Sequence, residues 1–196
     1  MKKDWLIFGA IGALIGGLIV WNLTASDVIY PGSRPGTTIN NSAIDAHFIE
    51  QMIPHHEDAI TMANLALEKS DNQDIRNLAT NIIASQGKEI KQMQDWYLSW
   101  FGKLVPTSDV VMSGHMMQGS GMHIGMMGNQ TDITKLEQAA NFDQLFLEQM
   151  IPHHQMAVMM ASMLQSATNR EEMRQLAGAI IQAQTTEIEL IRSWFE

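Results

Sequence analysis

The sequence predicts an all-α protein, a four-helix bundle built from two repeated helical hairpins and preceded by an N-terminal membrane helix. Three observations predict it. Glu50-Gln51-Met52-Ile53-Pro54-His55-His56 recurs as Glu148-Gln149-Met150-Ile151-Pro152-His153-His154, and self-similarity of this kind marks a repeated structural unit. Apolar residues after each copy recur at three- and four-residue steps, the period of a helix face. The chain also opens with a long uncharged apolar stretch.

That stretch, residues 5–23, follows Lys2 and Lys3. At 1.5 Å per residue it approaches the ~30 Å hydrocarbon thickness of a bilayer. It is longer than a signal-peptide core, and Thr24-Ala25-Ser26 makes a poor cleavage site, so residues 1–26 read as an uncleaved anchor. The lysines belong on the cytoplasmic side, which carries everything after Ser26 across the membrane. Gly12 and Gly16 form a GxxxG pair, a spacing that permits close helix packing. Residues 27–41 contain Pro31, Gly32, Pro35 and Gly36 without a helical period and read as a linker.

Residues 42–196 are the expected bundle: repeat one over 42–101, a connecting loop over 102–130 and repeat two over 131–196. In repeat one, Phe48, Met52, His55, Ala59, Met62 and Ala66 lie on one helical face. Polar capping residues over 70–74 then precede a second stripe of Ile75, Ala79, Ile82, Gln86, Ile90, Met93 and Trp96 or Tyr97. The 98-residue offset holds without a gap through Arg76 and Arg174, Gln86 and Gln184, Glu89 and Glu187, and Trp96 and Trp194. Two hairpins cannot each bury both apolar faces alone, so they pack on each other. Pro54 and Pro152 fall inside helical patterns, where proline removes a backbone donor. Their placement before each His pair points to a local distortion that aims the imidazoles or frees the carbonyls of Glu50 and Glu148.

Composition narrows the chemistry. The net charge of −9 and the lack of a basic patch exclude nucleic acid as an expected partner. With no cysteine, disulfides, zinc fingers and thiolate catalysis are excluded. Sixteen methionines and seven histidines suit soft or borderline metals. Met52 precedes His55 and His56 by one helical turn, and Met150 stands in the same relation to His153 and His154, so sulfur and imidazole share a face. Met156, Met159, Met160 and Met163 extend the sulfur stripe, equally readable as core or as ligands. Gln86, Glu89, Gln184 and Glu187 fall on otherwise apolar stripes and need partners; the histidines are the expected ones, with the carboxylates orienting the rings. The loop gathers His115, Met116, Met117, Met122, His123, Met126 and Met127 among glycines, where a core role fails and several thioethers can close round one ion. Thioethers select Cu(I) or its surrogate Ag(I), imidazole admits Cu(II), and neither needs a cysteine that an oxidising compartment would consume.

The paired MIPHH motifs, Met52 to His56 and Met150 to His154, with the downstream Gln, Glu and Trp, resemble the domain-of-unknown-function family of ferritin-like bundles that includes the copper-binding protein CopM. The resemblance implies a ferritin-like four-helix fold, a cell-envelope location, copper binding associated with resistance, and a ligand role for Met52, His55, His56, Met150, His153 and His154. The expected function is therefore a non-enzymatic copper-binding protein. It would be periplasmic and held at the inner membrane by its N-terminal helix, or exported if that helix is cleaved, with a copper-transport protein as a candidate partner. Two alternatives stand beside it. One is a structural or interaction bundle with incidental metal affinity; the other is a di-iron or di-manganese oxidase, disfavoured because such centres need Glu-x-x-His and none occurs.

Overall fold

Polar side chains set the corners of the fold. Ser70 Oγ accepts the Asn72 amide at 3.1 Å, and the Asn72 side chain accepts the amide of Asp74 at 2.9 Å, so the chain leaves one helix and enters the next within three residues. Arg76 reaches back to the carbonyls of Leu67 and Ser70 at the end of the first helix. The second half repeats the device, with Thr168 Oγ1 accepting the Arg170 amide at 3.0 Å and Arg174 donating to the Thr168 carbonyl at 2.8 Å.

The computed structural model describes residues 41–106 and 132–195. These residues form five helices and no strand: α1 (Asn41–Lys69), α2 (Gln73–Phe101), α3 (Ile133–Glu137), α4 (Phe142–Ala167) and α5 (Glu171–Ser193). No helix among the described residues is long and apolar enough to cross a membrane; the expected anchor, residues 1–26, lies outside them, as do most of the linker, residues 107–130 of the loop and residue 131. Helix α2 ends at Gly102, whose φ of 65° places it in the left-handed region where glycine carries no Cβ penalty. The five-residue α3 was not expected from the periodicity, being too short to display one; its Leu136 is fully buried against the bundle.

Helices α1 and α2 pair as one hairpin, α4 and α5 as the other, and the hairpins meet through α1 and α4. The N-terminal half of α1 (Phe48, Ile49, Met52) shares a core with the C-terminal half of α4 (Ala157, Ala161, Leu164), so these two helices run antiparallel. A second core joins Ala59, Met62 and Ala66 of α1 to Phe146, Leu147 and Met150 of α4. Between the two cores each of the four long helices has a gap in its buried apolar residues: from Ile53 to Ala59, Ile82 to Met93, Met150 to Ala157 and Ile180 to Ile188. The buried side chains in those gaps are His56, Gln86, His153, His154 and Gln184. The bundle thus has two apolar ends and a polar middle.

The repeat is not exact in its packing. Tyr97, fully buried in the first core, donates its hydroxyl to Glu50, and burial together with the neighbouring carboxylate pushes the phenol up to about 12. Its repeat counterpart is Phe195, half exposed, while Glu148 instead accepts from Gln144 at 2.7 Å. Replacing Tyr97 with Phe keeps the ring and leaves Glu50 without this donor. The expected cost is about 0.5–1.5 kcal/mol, read as a lower midpoint in urea with an unchanged slope.

Candidate metal centre

The polar middle is built by the two MIPHH copies. Adjacent histidines on a helix point about 100° apart, so one of each pair faces its hairpin partner and the other faces the opposite hairpin. Pro54 and Pro152 lie within continuous helices directly before them, leaving the Glu50 and Glu148 carbonyls without the usual donor four residues on.

His56 and His154 face inward within their own hairpins. Both rings are fully buried; His56 Nε2 lies 2.7 Å from Glu89 Oε2 and His154 Nε2 lies 2.5 Å from Glu187 Oε2. The carboxylate oxygen accepts, which puts a ring proton on Nε2, so in the neutral tautomer the lone pair is on Nδ1. In both residues Nδ1 is buried and has no hydrogen-bond partner. A carboxylate that fixes an imidazole in this way leaves the free nitrogen more basic and correctly aimed.

His55 and His153 meet across the interface between α1 and α4. Their ring centroids are 3.8 Å apart with an interplanar angle of 42°. Their own neighbours His56 and His154 lie at 6.3 and 6.2 Å. Side chains that diverge by about 100° on one helix would leave one histidine of each pair at the bundle edge. His55 is half-buried, whereas His153 is only 8% exposed. Burial is the main reason that His55 is lowered to about 3 and His153 to about 2; His56 and His154 add to the effect on His55, and His55, His154 and His56 to that on His153. Both rings are therefore neutral through the physiological range and into acid. Their Nδ1 atoms, too, are buried without partners.

Gln86 and Gln184 are buried in the same layer but bond to neither histidine; Gln86 Oε1 and Nε2 and Gln184 Oε1 have no partner. Gln149 Oε1 is a further orphan. An unpaired buried polar atom costs about 1–3 kcal/mol, so a concentration of them in one layer calls for a guest that supplies the missing interactions. Met52 and Met150 are fully buried one turn before the histidines, Met52 in the first core and Met150 in the second. His115, Met116, Met117, Met122, His123, Met126 and Met127 lie outside the described residues.

The donor set fits a soft or borderline cation: neutral imidazole nitrogens with bare lone pairs, thioethers on the same helices, and carboxylates already engaged by histidine. A hard cation would find little here. Among the described residues no three His, Asp or Glu side chains converge closely enough to hold an ion by themselves. Thioether sulfur would have to complete the coordination.

Comparison with known proteins follows the same lines. Residues 45–195 match the profile of the family Domain of unknown function (DUF305). The fold is similar to CopM in its Cu(II)-bound form, 47% identical over 77% of this chain and 95% of that one, with a TM-score of 0.66. The Cu(I)-bound form of CopM gives 44% identity over 77% and 94%, with a TM-score of 0.64. A DUF305 fragment from Deinococcus radiodurans is 28% identical over 76% of this chain and 93% of its own, at a TM-score of 0.61. Among curated proteins, Uncharacterized protein L153 of Acanthamoeba polyphaga mimivirus is 43% identical over 49 residues, a stretch that spans 25% of this chain and 32% of that protein.

Proposed function

This chain belongs to the DUF305 family, and from that premise we propose that it binds copper in the bacterial cell envelope, sequestering or handing on Cu(I) and Cu(II) in copper resistance or homeostasis. The observation that carries the reading is the layer of four imidazoles between two apolar cores, with His55 and His153 at 3.8 Å and all four Nδ1 atoms bare. CopM, to which the chain is similar, is known in Cu(I)-, Cu(II)- and Ag-bound forms. In this reading the bundle is a ferritin-like four-helix scaffold, and Met52, His55, His56, Met150, His153 and His154 are its ligands. Glu89 and Glu187 hold the rings, and copper is cargo. The protein performs no catalysis. The N-terminal segment anchors it to the inner membrane with the bundle in the periplasm, where a copper-transport protein exchanges metal with it.

The deciding experiment is an anaerobic titration of the full chain with Cu(I) against a competing chelator. Binding tighter than micromolar supports the proposal. Micromolar or weaker binding favours a structural or interaction bundle with incidental metal affinity, the reading that the lack of a converged His, Asp or Glu cage among the described residues would then support.

The Met- and His-rich loop belongs to the proposal as a second store of cuprous ion. Replacing Met116, Met117, Met126 and Met127 together with leucine removes sulfur at nearly constant size. The expected result is fewer Cu(I) equivalents per chain at unchanged helical content by circular dichroism, because the described cores lie elsewhere. Unchanged stoichiometry would exclude those four sulfurs.

A further inference from the structure

Periodicity alone leaves the methionines of α4 open between core and ligand, and burial separates them. Met160 is 8% exposed and its repeat counterpart Met62 is fully buried, as are the matched pair Met52 and Met150. Those methionines fill equivalent core positions in both halves. Met159 and Met163 are different: they are 40% and 47% exposed. Met156, one turn before Met159, is half-buried and packs on the edge of the first core.

The repeat supplies an internal control. The positions equivalent to Met156, Met159 and Met163 in the first half are Asp58, Thr61 and Leu65, none of which carries sulfur. Bundle packing therefore accepts other side chains at these places, including polar ones. The surrounding helix is also unusual, because from Ile151 to Ala167 it contains no charged residue, whereas the matching stretch of α1 contains Glu57, Asp58, Glu68 and Lys69. Residues three and four apart on a helix are neighbours, so Met156, Met159 and Met163 form one continuous ridge of three long, flexible thioethers.

We propose that Met156, Met159 and Met163 form a further, surface site for a monovalent soft cation, Cu(I) or Ag(I), separate from the imidazole layer. The site rests on the copper reading for the identity of its physiological ion, and on its own geometry for its existence. Two or three thioethers suit the low coordination numbers of these ions, need no deprotonation, and offer nothing to a hard divalent cation. Met156 follows His153 by three residues, one helical turn, so the ridge starts on the helix face next to the imidazole layer.

The test uses the full chain labelled with ¹³C at the methionine methyls and titrated with Ag(I), alongside the Met156→Leu, Met159→Leu, Met163→Leu triple variant. Leucine keeps helix propensity and apolar area while removing sulfur. The expected result is that the methyl resonances absent from the triple variant shift with Ag(I), and that the variant binds one Ag(I) fewer per chain with its Cu(II) affinity unchanged. A variant that keeps every Ag(I) equivalent, or resonances that do not move, overturns the proposal and leaves the exposed methionines as an apolar contact surface. The two readings fail separately. If the unaltered chain takes up neither Ag(I) nor Cu(I), the copper function falls as well; if it takes up metal and the variant loses none, only the surface site falls.

Discussion

Lowering the pH from 8 to 5 is expected to remove about 2 kcal/mol of folding stability through His153, and somewhat less through the half-buried His55. The sign follows from where the protons go. Both imidazoles are held well below their ordinary 6.5, at about 2 and about 3, chiefly because burial disfavours the charged ring. Below pH 6.5 the unfolded chain takes up protons that the folded chain refuses, so stability is fully present above that value. It is lost progressively as the pH falls towards 3 and then 2. Most carboxylates titrate below pH 5, which leaves the interval from 8 to 5 mainly to histidine. Urea unfolding followed by circular dichroism should show the midpoint falling across that interval, and a His55→Leu, His153→Leu variant should show a flatter profile. A stability that does not change between pH 8 and 5, or a variant with the same slope as the parent, would mean that the two rings are far less buried than described.

The second large effect concerns the carboxylates. Replacing Glu89 and Glu187 together with glutamine should weaken copper binding by about 10- to 100-fold while leaving the helical content intact. A carboxylate only accepts from His56 and His154 Nε2, so in the neutral ring it selects the tautomer with the lone pair on Nδ1. A glutamine side chain can present either its oxygen or its amide nitrogen and no longer dictates the tautomer. The two acids are only partly exposed, with side chains at 17%, so solvent does not readily replace what they supply. Competition titration with Cu(II) measures the effect. Equal affinity in parent and variant would reduce both pairs to structural hydrogen bonds.

The parts of this architecture that were legible beforehand are those with a local signature. Two hairpins, their capping turns and the Glu89 and Glu187 stripe positions can be read from the repeat and a period near 3.6, because a helix places residues three and four apart on one face whatever else surrounds it. The contact between His55 and His153 is not of this kind. It depends on α1 and α4 crossing antiparallel at the height of the motif, and nothing local in either helix encodes the partner. For the same reason the split into two apolar cores with a polar layer between them emerges only when four separate gaps are aligned in space. Met159 and Met160 show the limit most directly. They are neighbours of the same residue type, one exposed and one buried, and only the rotation of α4 within the bundle distinguishes them.

Tyr97 teaches a related lesson. The repeat suggests equivalence between the halves, yet Tyr97 is buried on Glu50 while Phe195 is half exposed at the chain end. A hydroxyl present in only one half is a visible difference in the sequence, but its burial is not. At the other side of the same core, the buried Asp45 accepts from Thr168 Oγ1 at 2.6 Å and forms an ion pair with Arg170 at 3.2 Å. Arg170 in turn lies over the Trp100 ring. That cluster ties the start of α1 to the turn before α5 across 123 residues of sequence, and no spacing rule anticipates it.

Imidazole nitrogen is the element of the account most open to direct observation. Electron paramagnetic resonance of the full chain loaded with one equivalent of Cu(II) should show nitrogen superhyperfine couplings, and these should be lost or reduced in the His55→Ala, His153→Ala variant together with affinity. A parent spectrum without nitrogen couplings, or a variant whose spectrum and affinity match the parent, would contradict copper binding in the central layer.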